Sequence, residues 1–269
     1  MAAKHCGLFR QTMGRRERRR HRPLVRQAML VLAALGVMMT AYGGTERAHA
    51  ESCPPGVANA LRLVMVSVAD ANAPMALLET FERATPGDPW RSVGPLRPAV
   101  VGKKGVAWGA GFREMAAPGE PLKREGDLRS PMGIYALGAT FGFDQTPLPG
   151  HMTLAMERHV CVEEPKSKSY GRIVDSSEVE AGVKYDQMAA EPLYRKGMVV
   201  DYPADAANMA GSCIFIHVWR EPGKGTAGCV ALDENDVMDL RAWASETPSA
   251  IAILTADAKG RFKGCLPGS

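Results

Sequence analysis

Two residues able to do covalent chemistry lie twelve positions apart near the C-terminal end of the sequence, His217 and Cys229. The apolar run Cys213–Trp219 contains the histidine, and a loop rich in proline and glycine leads to Gly228 and the cysteine. A thiol attacks a carbonyl carbon as a thiolate, and a neighbouring imidazole is the usual group that lowers its pKa. The pair therefore predicts Cys229 as a nucleophile and His217 as its general base and acid.

The glycine before the cysteine adds a second element of this chemistry. Gly228 allows the backbone to approach a substrate carbonyl closely, so the amides of Gly228 and Cys229 are candidate donors to an oxyanion. A lone buried histidine or cysteine is more often structural than catalytic. Residue types and spacing alone leave the catalytic and structural interpretations nearly even.

The sequence gives little support for a metal site. His159 and Cys161 are close in sequence, but no second pair of ligand residues stands at a spacing typical of zinc sites. We therefore predict no metal.

The first 50 residues have the features of a signal peptide. A run rich in arginine precedes an apolar core over residues 28–41, and Ala48–His49–Ala50 has the small-x-small form of a cleavage site. The apolar core is too short to span a bilayer comfortably. We expect cleavage near Ala50 and a periplasmic or exported protein with no membrane span afterwards, the alternative being an uncleaved anchor.

The charge of the chain depends on this leader. Residues 1–50 hold ten of the 33 Lys and Arg residues but only two of the 29 Asp and Glu residues, so residues 51–269 carry a net charge of −4. The basic character thus belongs to the targeting segment and gives no reason to expect a nucleic-acid partner. Residues 51–269 are enough for a sizeable core, most simply as one domain.

Five cysteines remain after the leader, and an odd number in an exported protein suggests one free thiol. If Cys229 is free, the other four allow three pairings. We favour Cys53–Cys265, because chain termini are often close in space, together with Cys161–Cys213. The alternative for Cys213 is a buried, unpaired thiol.

Hydrophobic patterning favours a mainly β protein. Strand-like stretches cover Leu61–Val68, residues 198–202, Cys213–Trp219 and residues 250–254, whereas residues 75–83 fit a strand or a short helix. The segment from 143 to 197 has weak periodicity and is expected to form long loops.

One helix is clearly predicted after the cysteine. Asp233 is a suitable N-cap, and Val237, Leu240 and Trp243 fall on one helical face. Pro248 then limits the helix, which we expect to end near Ser245.

Several segments together resemble the L,D-transpeptidase catalytic domain (YkuD type). Gly211–Ala231 resembles its active-site signature, and Lys123–Tyr135 is similar to its DGRTPxG turn. Cys161–Pro165 and Tyr170–Asp175 are similar to segments of one exported branch of that family. The resemblance extends from about residue 61 to about residue 254.

The resemblance implies an L,D-transpeptidase-like β-sandwich or barrel with one clear helix after the catalytic Cys229. It implies attack on the peptidoglycan stem peptide at its diamino-acid residue, loss of a terminal D-alanine, and resolution by an amine or by water. His217 is then the general base, oriented in this family often by a backbone carbonyl, and no metal or organic cofactor is needed. The expected function is cell-wall cross-linking or remodelling. The alternatives are an L,D-carboxypeptidase acting on the same bond and a non-catalytic wall-binding protein.

The chain departs from the usual signature in three respects. Ala227 replaces the histidine before Gly-Cys, Ala231 replaces a polar residue after it, and the spacer that follows His217 is short. These departures bear on the substrate and the acceptor rather than on the nucleophile. Thr226 and Arg129 are candidate substrate-binding residues, since a guanidinium binds a carboxylate bidentately. Stabilisation of a turn is an equally good interpretation of Arg129.

Overall fold

The structure is a computed structural model that describes residues 53–269, so the predicted signal peptide at 1–50 lies outside it. Its strands are β1 (Arg62–Val68), β2 (Met75–Glu82), β3 (Arg91–Ser92), β4 (Arg97–Val100), β5 (Val106–Trp108), β6 (Ser130–Gly142), β7 (Met152–Thr153), β8 (His159–Val162), β9 (Ile173–Asp175), β10 (Tyr185–Gln187), β11 (Lys196–Val200), β12 (Phe215–Val218), β13 (Val230–Leu232) and β14 (Ser249–Thr255). The α-helices are α1 (Pro55–Ala58), α2 (Glu234–Ala244) and α3 (Ala256–Lys259).

Eight strands close into a mixed barrel. Their order around it is β1, β14, β6, β11, β12, β13, β4 and β2, and β2 pairs back with β1 along its whole length. The β1–β14 and β12–β13 pairs are parallel, and the other pairs are antiparallel. Closure leaves no free edge among these strands. The prediction of a mainly β fold is confirmed, and residues 75–82 form a strand rather than a helix.

The helix after Cys229 is also confirmed. It runs over Glu234–Ala244, and the Asp233 side chain accepts a hydrogen bond from the backbone N–H of Asn235, as an N-cap residue should. Val237 and Leu240 are buried on its inner face. The helix thus covers one side of the barrel immediately after the strand that follows the cysteine.

The interior of the barrel is the main apolar core. Strands β1 and β14 contribute nearly continuous apolar runs, since both are buried along almost their whole length. Ile216 and Val218 of β12 belong to the same cluster, so the strand that carries His217 is held by the barrel interior. Burial of a side chain such as isoleucine stabilises the fold by about 1.5–3 kcal/mol relative to exposure.

A second apolar cluster lies on the side of β12 opposite the main core. It joins Phe215 and Cys229 to Phe141, Leu154, Cys161 and Met188. Much of it comes from the segment between β6 and β11, which was expected to form long loops. Most of that segment does lack regular structure, but β8, β9 and β10 form a small antiparallel sheet that was not predicted. Three- and four-residue strands carry too few alternations to be recognised by their pattern.

Two disulfides tie the fold together, Cys53–Cys265 and Cys161–Cys213. They are the pairings favoured from the sequence, and Cys229 is left as a buried free cysteine. The first joins the two ends of the described chain, whereas the second attaches β8 to the residues immediately before β12. The β8–β10 sheet is therefore covalently fixed beside Cys229.

Candidate functional site

Cys229 lies at the end of the loop that leads into β13, and its side chain is 7% exposed. The backbone N–H of Phe215 donates to its Sγ over 3.4 Å, and its S–H donates to the carbonyl of Cys213 over 3.5 Å. Cys213 has a positive φ of 53°, a conformation that non-glycine residues seldom adopt. This turn directs the Cys213 carbonyl to the thiol while its side chain reaches Cys161. The thiol is thus fixed by the two residues that flank Ile214.

His217 occupies β12 in parallel register with Ala231 of β13, two residues after Cys229. Its Nδ1 lies 2.8 Å from the carbonyl oxygen of Val218, so Nδ1–H donates to that oxygen and Nε2 keeps its lone pair. The ring of Tyr194 packs edge-on against the imidazole, with centroids 5.3 Å apart. A backbone carbonyl and an aromatic ring therefore fix both the tautomer and the orientation of the imidazole.

The opposite position on β11 is a glycine for a steric reason. Gly197 pairs with His217, and a Cβ at Gly197 would lie 2.3 Å from Cζ of Phe141. Any larger residue would displace the Phe141 ring, which packs against Phe215 and Tyr194. Gly197 therefore preserves the aromatic packing beside the histidine.

Burial sets the protonation states of the pair. It raises the pKa of the Cys229 thiol to about 12, although the Phe215 N–H lowers it in part. It lowers the pKa of His217 to about 4, against a smaller upward effect of the hydrogen bond to Val218. The sequence suggested an imidazole that lowers the pKa of the thiol. In the folded protein both groups are instead neutral near pH 7, because each has lost the hydration that stabilises its charged form.

Two hydroxyls hold the peptide of the cysteine. Oγ1 of Thr226 donates to the carbonyl of Cys229 over 2.6 Å, and Oγ of Ser130 donates to the same oxygen over 3.0 Å. Thr226 Oγ1 also accepts from the N–H of Gly228 over 3.0 Å. Thr226 is therefore built into the turn that ends in Cys229, and the Gly228 amide is engaged within that turn.

Ser130 connects the two segments that carry the family resemblance. It begins β6, directly after the Lys123–Arg129 turn, and its Oγ also accepts from the N–H of Gly102 over 2.9 Å. No local pattern predicts that this hydroxyl contacts Cys229, because the contact joins residues 99 positions apart.

His217 and Cys229 line the same cavity of about 240 Å³. The other lining residues come from three chain segments around them: Lys103, Glu191, Leu193, Tyr194, Trp219, Arg220, Lys224, Gly225, Thr226 and Ala227. Of these residues, Thr226 and Ala227 can be singled out from the sequence. Lys103, Tyr194 and Arg220 cannot. Those residues lie at irregular spacings in loops and in a short 3₁₀ turn, where no periodic pattern marks them.

Arg129 lies outside the lining of this cavity. Its Nη1 donates to the carbonyls of Ala71 and Val106 over 2.9 and 3.0 Å, and its Nη2 donates to Oδ1 of Asn72 over 2.8 Å. The guanidinium thus joins the β1–β2 connection to β5. These contacts correspond to the turn-stabilising interpretation of Arg129, while its backbone leads directly into Ser130.

A partly buried polar network stabilises the loop that precedes β12. One oxygen of Glu125 accepts from the hydroxyls of Tyr170 and Ser212, over 2.8 and 2.7 Å. Nearby, Lys123 is a buried residue, 2% exposed, and its ammonium donates to Oδ1 of Asp127 over 2.7 Å. Ser212 precedes Cys213, so this network holds the residue whose carbonyl accepts the thiol proton.

No three His, Cys, Asp or Glu side chains among residues 53–269 come together as a metal site. His159 accepts a hydrogen bond from the N–H of Ala155, and Cys161 is in a disulfide. No helix in the same residues is long and apolar enough to cross a bilayer.

Comparison with known proteins gives distant structural similarities. Neither a known protein family nor a curated protein matches the sequence. Among solved structures, the helical cell shape determining protein Pgp2 from Campylobacter jejuni matches 78% of this chain and 55% of its own, with 15% identity and a TM-score of 0.38. Bd1075 from Bdellovibrio bacteriovorus matches 73% of this chain and 49% of its own, with 16% identity and a TM-score of 0.37. The chain thus spans about half the length of these two structures.

Proposed function

We propose that this chain is an exported cysteine acyltransferase that acts on peptidoglycan stem peptides, as L,D-transpeptidases do. The observation that carries the chemistry is the shared cavity of Cys229 and His217, in which the imidazole keeps an unprotonated Nε2. The choice of substrate rests on the resemblance of residues 211–231 and 123–135 to that family. The two disulfides agree with export, because such bonds persist in oxidising compartments.

The acylation step begins from a neutral pair. The S–H of Cys229 turns from the Cys213 carbonyl to Nε2 of His217, which takes the proton as Sγ bonds to the substrate carbonyl carbon. The Phe215 N–H, which already donates to Sγ, stabilises negative charge as it develops on sulfur. Concerted proton transfer avoids a free thiolate in a site that disfavours it.

The tetrahedral intermediate then collapses to a thioester. The bond to the leaving D-alanine nitrogen breaks, and the imidazolium of His217 gives its proton to that nitrogen. We propose the backbone N–H of Cys229 as the donor to the oxyanion. The N–H of Gly228 becomes a second donor if it shares its hydrogen between Oγ1 of Thr226 and the oxyanion. An amine from a second stem, or water, next attacks the thioester and restores the thiol.

Mass spectrometry of the protein with residues 51–269 tests this function. Incubation with a tetrapeptide stem, or with a carbapenem as an acylating probe, is expected to add the acyl group at Cys229. Cys229→Ala should abolish the adduct, and His217→Ala should slow its formation by about 10²-fold or more while the protein stays folded. An adduct that survives in Cys229→Ala, or that forms at the parent rate in His217→Ala, would refute the assignment.

The products distinguish transfer from hydrolysis. With an amine acceptor present, transpeptidation gives a cross-linked peptide together with D-alanine. Release of tripeptide and D-alanine without any cross-linked product would instead identify a carboxypeptidase that uses the same residues.

A further inference from the structure

The mouth of the catalytic cavity carries three exposed cationic side chains, Lys103, Arg220 and Lys224. Lys224 pairs with Glu221, with 3.0 Å between Nζ and Oε1. In the part of the chain that the structure describes, neither the Lys103 ammonium nor the Arg220 guanidinium has an ion pair or a hydrogen bond to a protein group. The acidic side chain that lines the cavity, Glu191, accepts a hydrogen bond from the N–H of Leu193 over 3.1 Å.

The backbone fixes Lys103 beside the nucleophile loop. Its N–H donates to the carbonyl of Thr226 over 2.8 Å, and the N–H of Thr226 donates to Val101 over 2.9 Å. A Cβ at Gly225 would lie 2.7 Å from the Cα of Lys103, so the two chain segments are in direct contact. The base of the lysine side chain is therefore held next to the turn that ends in Cys229.

Arg220 is positioned by the end of β12. It follows Trp219, whose N–H donates to the carbonyl of Leu232 over 2.7 Å just beyond the paired ends of β12 and β13. The same strand, β12, carries His217. The two unpaired cations thus line the same cavity as His217 and Cys229 from hydrogen-bonded backbone, and their side chains have no protein partner among the described residues.

Two exposed cations without a protein partner in the described part of the chain line a small cavity, although residues 51–269 carry a net charge of −4. Low-dielectric walls strengthen the field of such charges, and lysine and arginine recognise carboxylates by charge-assisted hydrogen bonds. We infer that Lys103 and Arg220 form a carboxylate subsite that selects an anionic peptide and holds it with a carbonyl group at Cys229. The inference deepens the proposed function and rests on it for the identity of the peptide.

Binding to the inactive Cys229→Ala protein tests the subsite without turnover. The probes are the tetrapeptide stem with free carboxylates and two single amides, one at the C-terminal D-alanine and one at the diamino-acid side chain. At low salt, at least one amide should bind about tenfold more weakly than the free acid, and that amide identifies the carboxylate. Equal binding of all three peptides, or no binding of any, would overturn the subsite.

The cationic residues are tested in the same background. Lys103→Gln and Arg220→Gln should each weaken binding of the free acid by about three- to tenfold and remove most of its advantage over the amide. Lys104→Gln is the matched control, because Lys104 is exposed and adjacent but does not line the cavity. It should stay within about twofold of the parent. If Lys104→Gln weakens binding as much as Lys103→Gln does, the effect comes from overall charge, and the subsite is refuted.

Kinetics separates this inference from the proposed function. In the active protein, Lys103→Gln should raise KM with kcat within about twofold, since the lysine binds substrate without reacting. If the free acid and the amides are turned over by Cys229 with equal kcat/KM, the proposed function is supported and the carboxylate subsite is refuted. If the protein binds the free acid selectively but shows no Cys229-dependent turnover, the carboxylate subsite is supported and the proposed function is refuted.

Discussion

Cys229 and His217 are both buried, and burial shifts their pKa values in opposite directions. The thiol has a pKa of about 12 and the imidazole of about 4, so the neutral pair predominates from mildly acidic to alkaline pH. A preformed thiolate–imidazolium pair would need stabilisation that this dry site does not supply at rest. In the proposed mechanism the thiolate therefore forms during attack, when substrate occupies the cavity.

This protonation state predicts how the free thiol reacts with a small alkylating reagent. Between pH 7 and pH 10 the thiol lies below its pKa, so iodoacetamide labelling of Cys229 should speed up about tenfold per pH unit. Intact-mass measurement on the native protein gives the rate, with Cys229→Ser as the unlabelled control. A rate that is already independent of pH above pH 6 or 7 would show a resting thiolate and contradict the neutral pair.

The sequence predicts His217 and Cys229 as a pair, but it does not predict their electrostatics. The Gly-Cys after a histidine-bearing strand is a local pattern, and the structure places both residues at one cavity. The pKa shifts depend on what covers the pair, and Tyr194 and Phe141 come from distant parts of the chain. The same limit applies to Ser130, whose hydroxyl reaches the carbonyl of Cys229 across 99 positions of the chain.

At the scale of elements, the Cys161–Cys213 disulfide links the β8–β10 sheet to the residues before β12. Cys213 supplies the carbonyl that receives the thiol proton, and the amide of Phe215 follows two residues later. The small sheet therefore acts on the site through the backbone of one short loop. The Glu125 network at Ser212 supports the same loop from the other side.

Removal of this disulfide should alter the reactivity of Cys229 as well as stability. In Cys161→Ala/Cys213→Ala the loop before β12 loses its covalent link, so water gains access to Sγ. We expect Cys229 to be alkylated about tenfold faster at pH 8, under conditions where the fold persists. Stability to urea should fall by about 2–5 kcal/mol.

The other disulfide provides the matched control. Cys53–Cys265 closes a sequence separation of 212 residues against 52 for Cys161–Cys213, so its removal should cost about 1 kcal/mol more by chain entropy. It lies at the chain ends, and Cys53→Ala/Cys265→Ala should leave the alkylation rate of Cys229 within about twofold. Equal acceleration in both double variants would show that global loosening, not the loop before β12, controls the thiol.

The elements themselves differ in how far the sequence could predict them. β1, β14 and α2 were predictable because seven or more residues repeat an apolar pattern with clear ends. The residues between β6 and β11 have no such repeat, and their sheet is held by pairing among short strands and by a disulfide. Non-local contacts of this kind leave no periodic signal in the chain.

At the scale of the whole molecule, closure of the barrel supports β12, the strand that carries His217, from its interior side. β2 pairs with β1 on one side and with β4 on the other. β4 in turn pairs with β13, which begins directly after Cys229. Leu78 of β2 is fully buried in the same cluster as Ile216, the residue before His217. The cluster gives β12 a rigid support, although no residue of β2 lines the catalytic cavity.

A pair of neighbouring leucines on β2 tests this coupling. Leu78→Ala leaves a cavity in the barrel interior and should lower the free energy of unfolding by about 2–5 kcal/mol. Leu77 points outward with 46% exposure, so Leu77→Ala should change it by no more than about 0.5 kcal/mol. In both variants Cys229 should keep the parent alkylation rate until the barrel unfolds, because neither substitution touches the site.

Thermal melts followed by circular dichroism and by Cys229 labelling should give coincident transitions in Leu78→Ala. A rise in labelling well below the dichroism midpoint would show that the catalytic loops open as a separate unit from the barrel.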